Sequence, residues 1–463
     1  MRTIQDDGAP GWLPRLAGNK GPRFLQIADA LQAAVAEGSL KPGDRLPPQR
    51  QLAARLDVDL TTVTRAYDEA RRRKLLEGRG ARGTYVAAPK VELTAILDLS
   101  MNTPPPPEGM DFDDLLKQGL SQVLMTADNG LLMNYHPGGG SDADRQAGAT
   151  WLAPMFGQPD AGQIVVCPGA QAAIAASILA FTAPGAVILA EPTTYPGLRA
   201  AATQLGRRLV AVEADRHGML PAMLEEACRR HAPGLVYLNP TLQNPTASTM
   251  PERRRKELAA VARRCHVRIV EDDPYWLLAA SPPPPIAALA PDRAVYISTL
   301  SKCLTPGLRV AFVLVRDAEE RARFLAALRS FALMTAPLTA ALATQWILDG
   351  SAGVLLAGVR EEARLRHRMA RDILAGRYSG LGDGLHVWLA LPAYWSAAQL
   401  ARAAGSEGIA VTPAEAFGIG GESVNAIRIS LGSMADRERL RAGLQRLSHL
   451  LARRPESSGA AGA

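Results

Sequence analysis

From about residue 98 onward, short apolar runs rich in β-branched residues alternate with segments whose apolar residues recur at helical spacing. This alternation predicts a mostly parallel sheet covered by helices, because each crossover between parallel strands needs enough chain to form a helix. In such α/β sheets, ligand-binding groups lie at the carboxyl ends of the strands. The runs that predict strands are 164–167, 186–189, 235–238, 267–270, 295–298 and 310–315.

Several classes of protein are disfavoured by what the sequence lacks. No GxGxxG or GxxxxGK[ST] segment is present, so the usual signatures of dinucleotide and Walker-type nucleotide binding are missing. The four cysteines include no CxxC pair, which indicates neither a disulfide framework nor a cysteine zinc site, and no metal is expected. The first ten residues lack the apolar core of a signal peptide, so the predicted location is the cytoplasm and no membrane partner is expected.

Lysine is rare in this chain, and Lys302 stands out among the seven that occur. It follows the apolar run AVYIS in the segment STLSKCLTPGLR, which also contains Thr299, Ser301 and Arg309. An amine among hydroxyls and a guanidinium suits an aldehyde cofactor with a phosphate group, because the amine can form a Schiff base while its neighbours bind the anion. The alternative for any single lysine is a surface charge, but a surface lysine needs no such neighbours.

A second cluster lies in IVEDDPYW, which contains Asp272 and Tyr275. A carboxylate that faces a pyridine nitrogen keeps it protonated and makes the ring an electron sink, and a phenol can hydrogen-bond to the oxygen on the ring. Asn244, in the segment QNPT, can reach the same oxygen. Asp272 or Tyr275 alone could be a helix cap or a turn residue. Together with Asn244 and Lys302, they indicate a site for pyridoxal 5'-phosphate.

These segments resemble the fold-type I pyridoxal-phosphate aminotransferases, especially the aminoadipate and kynurenine aminotransferase group, over residues 98–452. The resemblance implies an α/β fold with a large domain on a mostly parallel seven-stranded sheet and a small C-terminal α+β domain at about 335–452. Ala247 and Ala414 stand where glycine is usual, which suggests altered loop geometry without the loss of a chemical group. In chain order the matching segments are NYHPGGG, CPGAQAAI, EPTTYPG, QNPT, EDDPYW, TLSK with PGLR, and NAIRIS.

The same resemblance implies a role for each site residue. Lys302 is implied to be the catalytic lysine that carries the cofactor as an internal aldimine, with Asp272 as the partner of the pyridinium nitrogen and Tyr275 and Asn244 as partners of the ring oxygen. Arg428 is implied to bind a substrate or effector carboxylate with two nitrogens, the alternative being an ordinary salt bridge. The other implied cofactor contacts are Tyr195, stacked on the ring; Tyr135, on the phosphate of the second subunit of a homodimer with shared sites; and the phosphate ligands Ala170, Gln171, Thr299, Ser301 and Arg309.

The N-terminal part of the chain carries most of the excess positive charge. Residues 1–88 contain 15 Lys and Arg against 10 Asp and Glu, which accounts for five of the seven net positive charges of the whole chain. A basic module beside a nearly neutral body suggests an anionic polymer as its partner, with nucleic acid the first candidate. A solvated basic surface is the alternative on charge alone.

The pattern of this module predicts a winged helix-turn-helix. Apolar spacing predicts helices over 22–37, from about Pro48, and from Asp59 as N-cap, with a tight turn at Asp57-Val58 between the second and the third. The segment LLEGRGARGTYV predicts a hairpin with strands at 75–77 and 84–86, which is the wing. The residues that could reach a DNA groove or its phosphates are Thr61, Thr62, Thr64 and Arg65 in the third helix and Arg79 and Arg82 in the wing.

Residues 20–87 resemble the DNA-binding domain of GntR-type bacterial regulators in the segments RLPPQRQLAARLDV, TTVTRAY and GRGARGTYV. The resemblance implies that Arg50, Thr61, Thr62, Arg82 and Gly83 contact DNA. Asp59-Leu60 replaces a polar pair such as Ser-Arg that is usual in the family, and the loss of that arginine removes an expected contact to a base or a phosphate. A winged helix used for protein contacts is the alternative.

The two halves together resemble the MocR/GabR class of GntR regulators. The predicted organisation is a flexible N-terminus at 1–19, a winged helix-turn-helix at 20–87, a linker at 88–97, an aminotransferase-like body at 98–452 and a disordered tail at 453–463. The expected function is pyridoxal-phosphate-dependent regulation of transcription: the body senses an amino acid, another amine or the cofactor itself, and the N-terminal domain binds double-stranded DNA. The alternatives are a working aminotransferase with an appended DNA-binding module, and a pseudoenzyme that binds neither cofactor nor DNA.

Overall fold

A computed structural model describes residues 12–13, 16, 21–73, 75–78, 83–87, 96–136, 138–375, 378–380, 382–420, 424–434 and 436–454. The chain divides into two compact units, Met1–Ala95 and Ile96–Ala463. The predicted N-terminal segment, linker and tail lie largely outside the described residues, and so do the wing residues Arg79 and Arg82. Leu97, predicted to end the linker, pairs with Ile409 and therefore belongs to the second unit.

Within its described residues, the first unit contains three helices and a two-stranded antiparallel hairpin, in the order that the sequence predicts. The helix α2 ends at Leu56, because the next residue, Asp57, has a φ of 50°, which lies outside the right-handed helical region. Asp59 occupies the N-cap position of α3, but its side chain accepts no capping hydrogen bond. The elements are α1 (Arg23–Ala36), α2 (Gln49–Leu56), α3 (Leu60–Arg72), β1 (Leu76–Gly78) and β2 (Thr84–Val86).

One apolar face of each helix forms the core of this unit. The Tyr67 hydroxyl is tied to that core, because it donates a hydrogen bond to the Pro47 carbonyl at 2.8 Å. Trp12, Leu13 and Leu16 pack against the same core, although the sequence predicts a flexible segment there. The buried side chains that join the helices include Ile27, Leu31, Leu52, Val63 and Ala66.

The second unit is built on a seven-stranded sheet. Six strands run parallel to one another, and β12 is antiparallel to both of its neighbours. The prediction of a mostly parallel seven-stranded sheet is confirmed. In sheet order the strands are β4 (Ile164–Cys167), β12 (Ala311–Leu314), β11 (Ala294–Thr299), β10 (Arg268–Asp272), β9 (Leu235–Leu238), β5 (Val187–Ala190) and β6 (Arg208–Ala211).

Helices cover both faces of this sheet, as the fully buried strands require. Leu152, Leu258 and Trp346 belong to the core on one face, and Ile174 and Phe324 to the core on the other. The helices are α4 (Phe112–Thr126), α5 (Asn129–Leu132), α6 (Asp142–Phe156), α7 (Ala170–Phe181), α8 (Pro196–Gln204), α9 (Pro221–His231), α10 (Glu252–Arg264), α11 (Ile286–Leu289), α12 (Leu300–Cys303), α13 (Ala318–Arg329) and α14 (Pro337–Leu348). A small hairpin of β7 (Ala214–Asp215) and β8 (Gly218–Met219) lies between β6 and α9.

The small domain is an antiparallel sheet of order β13-β14-β17-β16 with helices packed on it, and β3 pairs in parallel with β15 beside it. Its core begins near Met369, within α15, and not at residue 335 as predicted, because Trp346 and Val359 still belong to the core of the large domain. The elements are β3 (Leu97–Asp98), α15 (Ser351–Leu374), β13 (Tyr378–Ser379), β14 (His386–Ala390), α16 (Ala397–Ser406), β15 (Ile409–Ala410), β16 (Thr412–Pro413), β17 (Ala426–Ser430) and α17 (Arg437–Ala452).

The described residues contain neither a single membrane-spanning helix nor a cluster of metal-binding side chains. No single helix found there is both long and apolar enough to span a membrane; α14 and α15 meet the length and composition test only as a pair, and they are bent by 82°. Across the same ranges, no group of three or more His, Cys, Asp or Glu side chains is arranged to hold a metal ion.

Candidate functional site

The site lies where the parallel strands end, as the sequence predicts. Lys302 is in α12, the short helix that follows β11 directly, and Asp272 is the last residue of β10. Because these strands are neighbours in parallel register, their carboxyl ends bring the amine and the carboxylate to the same edge of the sheet.

The Lys302 amine is buried and donates a hydrogen bond to the backbone carbonyl of Asn102 at 2.5 Å. Burial, followed by the positive charge of Arg428, lowers the pKa of Lys302 to about 8, while Asp272 opposes this shift. An amine with this pKa is partly neutral near physiological pH, and the neutral form is the nucleophile. Lys302 is therefore suited to form a covalent bond with an aldehyde.

Asp272 has one carboxylate oxygen with a partner and one without. Tyr237 donates its hydroxyl hydrogen to Oδ2 at 2.6 Å, whereas Oδ1 is buried and has no hydrogen-bond partner among the described residues. Burial raises the pKa of Asp272 to about 6, and the hydrogen bond from Tyr237 opposes this. A buried acceptor without a donor is costly, so this oxygen fits a ligand that presents an N–H group, such as a protonated pyridine nitrogen.

Arg428 and Asn244 contact each other beside these two groups. The Arg428 Nη1 donates to the Asn244 Oδ1 at 2.7 Å, and Nη2 donates to the Ser100 carbonyl and, at 3.5 Å, to the Thr412 hydroxyl. Asn244 therefore presents its amide oxygen to Arg428 and keeps its N–H groups for another acceptor. The Arg428 guanidinium also lies over the Phe417 ring at 5.0 Å, and its buried Nε has no hydrogen-bond partner in the part of the chain that the structure describes.

Three of the predicted phosphate ligands, Ala170, Gln171 and Arg309, lie at the N-terminus of α7. Ala170 and Gln171 are the first two residues of that helix, so their backbone N–H groups lack helical acceptors and can bind an anion. The Arg309 guanidinium lies against Gly169, where an added Cβ would be 2.8 Å from Nη2. Thr299 donates to the Ser301 hydroxyl at 3.1 Å, which brings both hydroxyls together after β11.

Two predicted aromatic contacts differ in their positions. Tyr195 is half-buried before α8, and its pKa is raised by burial and by the nearby Asp272 charge, so it belongs to the same site. Tyr135 is 71% exposed and is not packed into the site of its own chain.

The structure adds residues that the sequence analysis missed. Asn102 and His386 are buried beside Tyr275, and Tyr237 is bound to Asp272. Tyr237 is the next-to-last residue of β9, so its proximity to Asp272 on the adjacent strand could have been predicted from the strand pattern. Asn102 and His386 carry no such local signal.

The predicted DNA-binding residues of the first unit differ in their exposure and in their hydrogen bonding. Arg50 and Thr61 are exposed and Thr62 is half-buried. The Thr64 hydroxyl lies within donating distance of both the Gln49 side-chain oxygen at 2.9 Å and the Leu60 carbonyl at 3.0 Å.

Arg65 and Gly83 complete the described part of this surface. The Arg65 guanidinium stacks on the Phe24 ring at 4.2 Å from its centroid. Gly83 adopts a φ of 106°, and a Cβ there would lie 3.2 Å from the Arg45 Nε. Gly83 therefore lets an arginine side chain lie close to the base of the wing.

Known protein families match both the N-terminal and the C-terminal part of the chain. Residues 94–447 match the family model for aminotransferase class I and II, and residues 24–86 match the model for bacterial regulatory proteins of the gntR family. The crystal structure of LysN, an α-aminoadipate aminotransferase from Thermus thermophilus complexed with N-(5'-phosphopyridoxyl)-L-leucine, is similar with a TM-score of 0.70 at 27% identity, covering 78% of this chain and 92% of LysN.

Two relatives are similar along nearly their whole length. The chain is 30% identical over 452 residues to YdeF, an HTH-type transcriptional regulator of Bacillus subtilis, with 95% of this chain and 96% of YdeF covered. It is 27% identical over 429 residues to PtsJ, a vitamin B6 salvage pathway transcriptional repressor of Salmonella typhimurium, with 90% of this chain and 96% of PtsJ covered. The chain therefore belongs to the MocR-type subfamily of the GntR transcriptional regulators, in which a winged helix-turn-helix domain precedes an aminotransferase-like body.

Proposed function

We propose that this regulator binds pyridoxal 5'-phosphate covalently at Lys302 and changes its binding to a DNA operator when an amino compound enters the same site. The observation that carries the proposal is the pair formed by a buried amine of lowered pKa and a buried carboxylate oxygen that lacks a donor. DNA as the partner implies that the protein works in the cytoplasm.

The cofactor, when bound, supplies an aldehyde carbon for amines and a ring that withdraws electrons. Asp272 would hold a proton at the ring nitrogen, and Asn244 and Tyr275 would hydrogen-bond to the ring oxygen. Tyr195 would stack on the ring. The phosphate would be bound by the backbone at Ala170 and Gln171, by Thr299 and Ser301, and by Arg309.

The effector would be recognised by its charge as well as by its amine. Arg428 would bind a carboxylate on an incoming amino acid, because its guanidinium is buried and its hydrogen-bond partners in the described residues are uncharged. An effector can alter DNA binding only if two states of the protein bind it with different affinities.

The exposed residues near Tyr135 support the proposal of a homodimer with shared sites. Met133 is 88% exposed and Met125 is 85% exposed, on a stretch of chain that also leaves Leu124 exposed. Clustered apolar side chains of this kind are typical of protein interfaces. We expect a second copy to cover them and to receive Tyr135 at its phosphate group, and light scattering on the purified protein will give its mass.

The test of the cofactor proposal compares two lysine variants. Wild-type protein loaded with pyridoxal 5'-phosphate should be yellow, and borohydride reduction followed by peptide mass analysis should find a pyridoxyl group at Lys302. Lys302→Ala should abolish the visible band and the adduct. Lys256→Ala is the control, because Lys256 is exposed and paired with Glu252. A band retained by Lys302→Ala would refute the assignment.

The test of regulation uses DNA from upstream of the chain's own gene. Specific binding in a gel shift should weaken steeply with salt, as phosphate contacts require. Candidate amino acids should then be tested for changes in both the visible spectrum and the gel shift. The control for each amino acid is the corresponding amine, which lacks the carboxylate.

A working aminotransferase is the second candidate, since every group implied for the chemistry is present. Turnover of an amino acid with a 2-oxo acid, together with no DNA binding above the nonspecific background, would favour it. Failure of both the spectral and the DNA tests would leave a pseudoenzyme.

A further inference from the structure

Asn102 connects three separate parts of the second unit at the candidate site. Its side chain is buried, and its Nδ2 donates to the Tyr275 hydroxyl at 2.9 Å and lies 3.0 Å from the Nδ1 of His386. Its backbone carbonyl accepts the hydrogen bond from Lys302. One residue thus contacts both the reactive amine and the phenol predicted to bind the ring oxygen.

His386 fixes which way the Asn102 amide faces. The Nε2 of His386 lies 3.1 Å from the Gln243 carbonyl, which can only accept, so Nε2 carries the proton. Burial, followed by Arg428, lowers the pKa of His386 to about 3, so the ring stays neutral and Nδ1 keeps its lone pair. Nδ1 must accept, and Asn102 therefore turns its N–H groups, not its oxygen, toward His386.

The orientation of Asn102 sets the role of the Tyr275 hydroxyl. Because the Tyr275 oxygen receives an N–H from Asn102, its own O–H is left to donate. Burial raises the pKa of Tyr275, so the phenol keeps that proton at physiological pH. The charged and titratable groups that also act on Tyr275 or Lys302 are Asp272, Tyr195, Arg309 and Arg428.

We propose that Asn102 and His386 are positioning residues, which hold the Tyr275 hydroxyl so that it offers its proton to the ring oxygen of pyridoxal phosphate. This inference rests on the function proposed above. A hydrogen bond to that oxygen spreads its negative charge and weakens its attraction for the protonated nitrogen at Lys302. The hydrogen bond therefore lowers the pH at which the visible band of the loaded protein changes.

The experiment measures the pH midpoint of the visible absorption change in full-length, cofactor-loaded protein. Asn102→Ala should raise the midpoint by about half to one pH unit, in the same direction as Tyr275→Phe. In the double variant, Asn102→Ala should add nothing to the shift of Tyr275→Phe, because Asn102 acts through the phenol. Additive shifts, or an unchanged midpoint in Asn102→Ala, would overturn the inference.

Two His386 variants test the second positioning residue. In His386→Asn, the amide oxygen can replace Nδ1 as the acceptor for Asn102, so the midpoint should stay near that of the wild type. His386→Leu removes the acceptor and should shift the midpoint as Asn102→Ala does. Equal midpoints in the two variants would show that the acceptor at this position is irrelevant.

The controls separate positioning from folding and from cofactor binding. Asn425 donates to the Trp395 carbonyl at 2.7 Å, away from the site residues, and Asn425→Ala should leave the midpoint unchanged. A purely structural role for Asn102 would lower the thermal unfolding temperature without moving the midpoint. Absence of any visible band in the wild type would instead refute the proposed function itself.

Discussion

Replacing Gly169 with alanine tests how the phosphate end of the site is built. Gly169 adopts a φ of 88° immediately before α7, and a Cβ at this position would lie 2.8 Å from the Arg309 Nη2 and 3.0 Å from its Cζ. With a ψ of 167°, Gly169 lies in a region that is almost exclusive to glycine, so the alanine would strain the backbone by about 1–3 kcal/mol and push the guanidinium away from the helix N-terminus. Arg309 would then no longer be held where the phosphate is proposed to bind.

The expected loss of affinity follows from one charge-assisted contact. A hydrogen bond to a charged group contributes about 1.5–3 kcal/mol, which corresponds to roughly a 10- to 100-fold weaker Kd for pyridoxal 5'-phosphate. The measurement is a titration of cofactor-free protein with pyridoxal 5'-phosphate, followed by visible absorbance.

Two other glycines provide matched controls. Gly185 has a φ of 78° with no atom within 4 Å of an added Cβ, so Gly185→Ala introduces backbone strain without displacing Arg309. At Gly307, in the turn before Arg309, a Cβ would meet only the Thr305 hydroxyl at an ordinary 3.6 Å. Both variants should bind the cofactor as the wild type does. A wild-type Kd in Gly169→Ala, or an equal loss in Gly185→Ala, would refute the reasoning.

Three further predictions concern stability and DNA binding. Burial lowers the pKa of Lys302 from 10.5 to about 8, so the unfolded chain binds more protons than the folded chain between these pH values. The cofactor-free protein should therefore gain up to about 3 kcal/mol of stability as the pH rises through that window. Thermal unfolding measures this gain, and Lys302→Met should abolish it. Arg50→Ala should weaken DNA binding and reduce the salt dependence by about one phosphate contact, whereas Arg55→Ala, on the same helix but about 140° around it, should not. Tyr67→Phe should destabilise the first unit by about 1 kcal/mol in denaturant titrations, because the hydroxyl hydrogen bond to Pro47 is lost.

The parts of the site that the sequence could predict are those that directly follow a strand. Asp272 is the last residue of β10 and Lys302 lies three residues after β11, and the carboxyl ends of parallel strands share one edge of the sheet, so local pattern and topology together place them. The helices of the first unit are predicted for a similar reason, since their apolar spacing and their end signals lie within the segments themselves.

The parts that the sequence could not predict depend on contacts between distant segments. Asn102 is 173 residues from Tyr275 and 284 residues from His386, and no periodic pattern links them. The boundary of the small domain was placed too early because α14 packs into the core of the large domain through Trp346, and an apolar helix does not reveal from its sequence which core it enters. Arg65 is predicted to face a DNA groove, and its additional stacking on Phe24 depends on how α1 and α3 pack, which no local pattern shows.

The charges around Arg428 indicate what kind of effector the site favours. Burial is the main reason why the pKa values of Arg428 and Lys302 are both lowered, because it disfavours the charged form of each group. Within the described part of the chain, the hydrogen-bond acceptors of Arg428 are uncharged, so its charge is only partly compensated. Asp272 cannot serve both cations if it faces the ring nitrogen of the cofactor. A carboxylate beside Arg428 would compensate the remaining charge, whereas an amine without one would leave that charge only partly compensated, which disfavours its binding. If the proposed function holds, we therefore expect an amino acid to be a better effector than a simple amine.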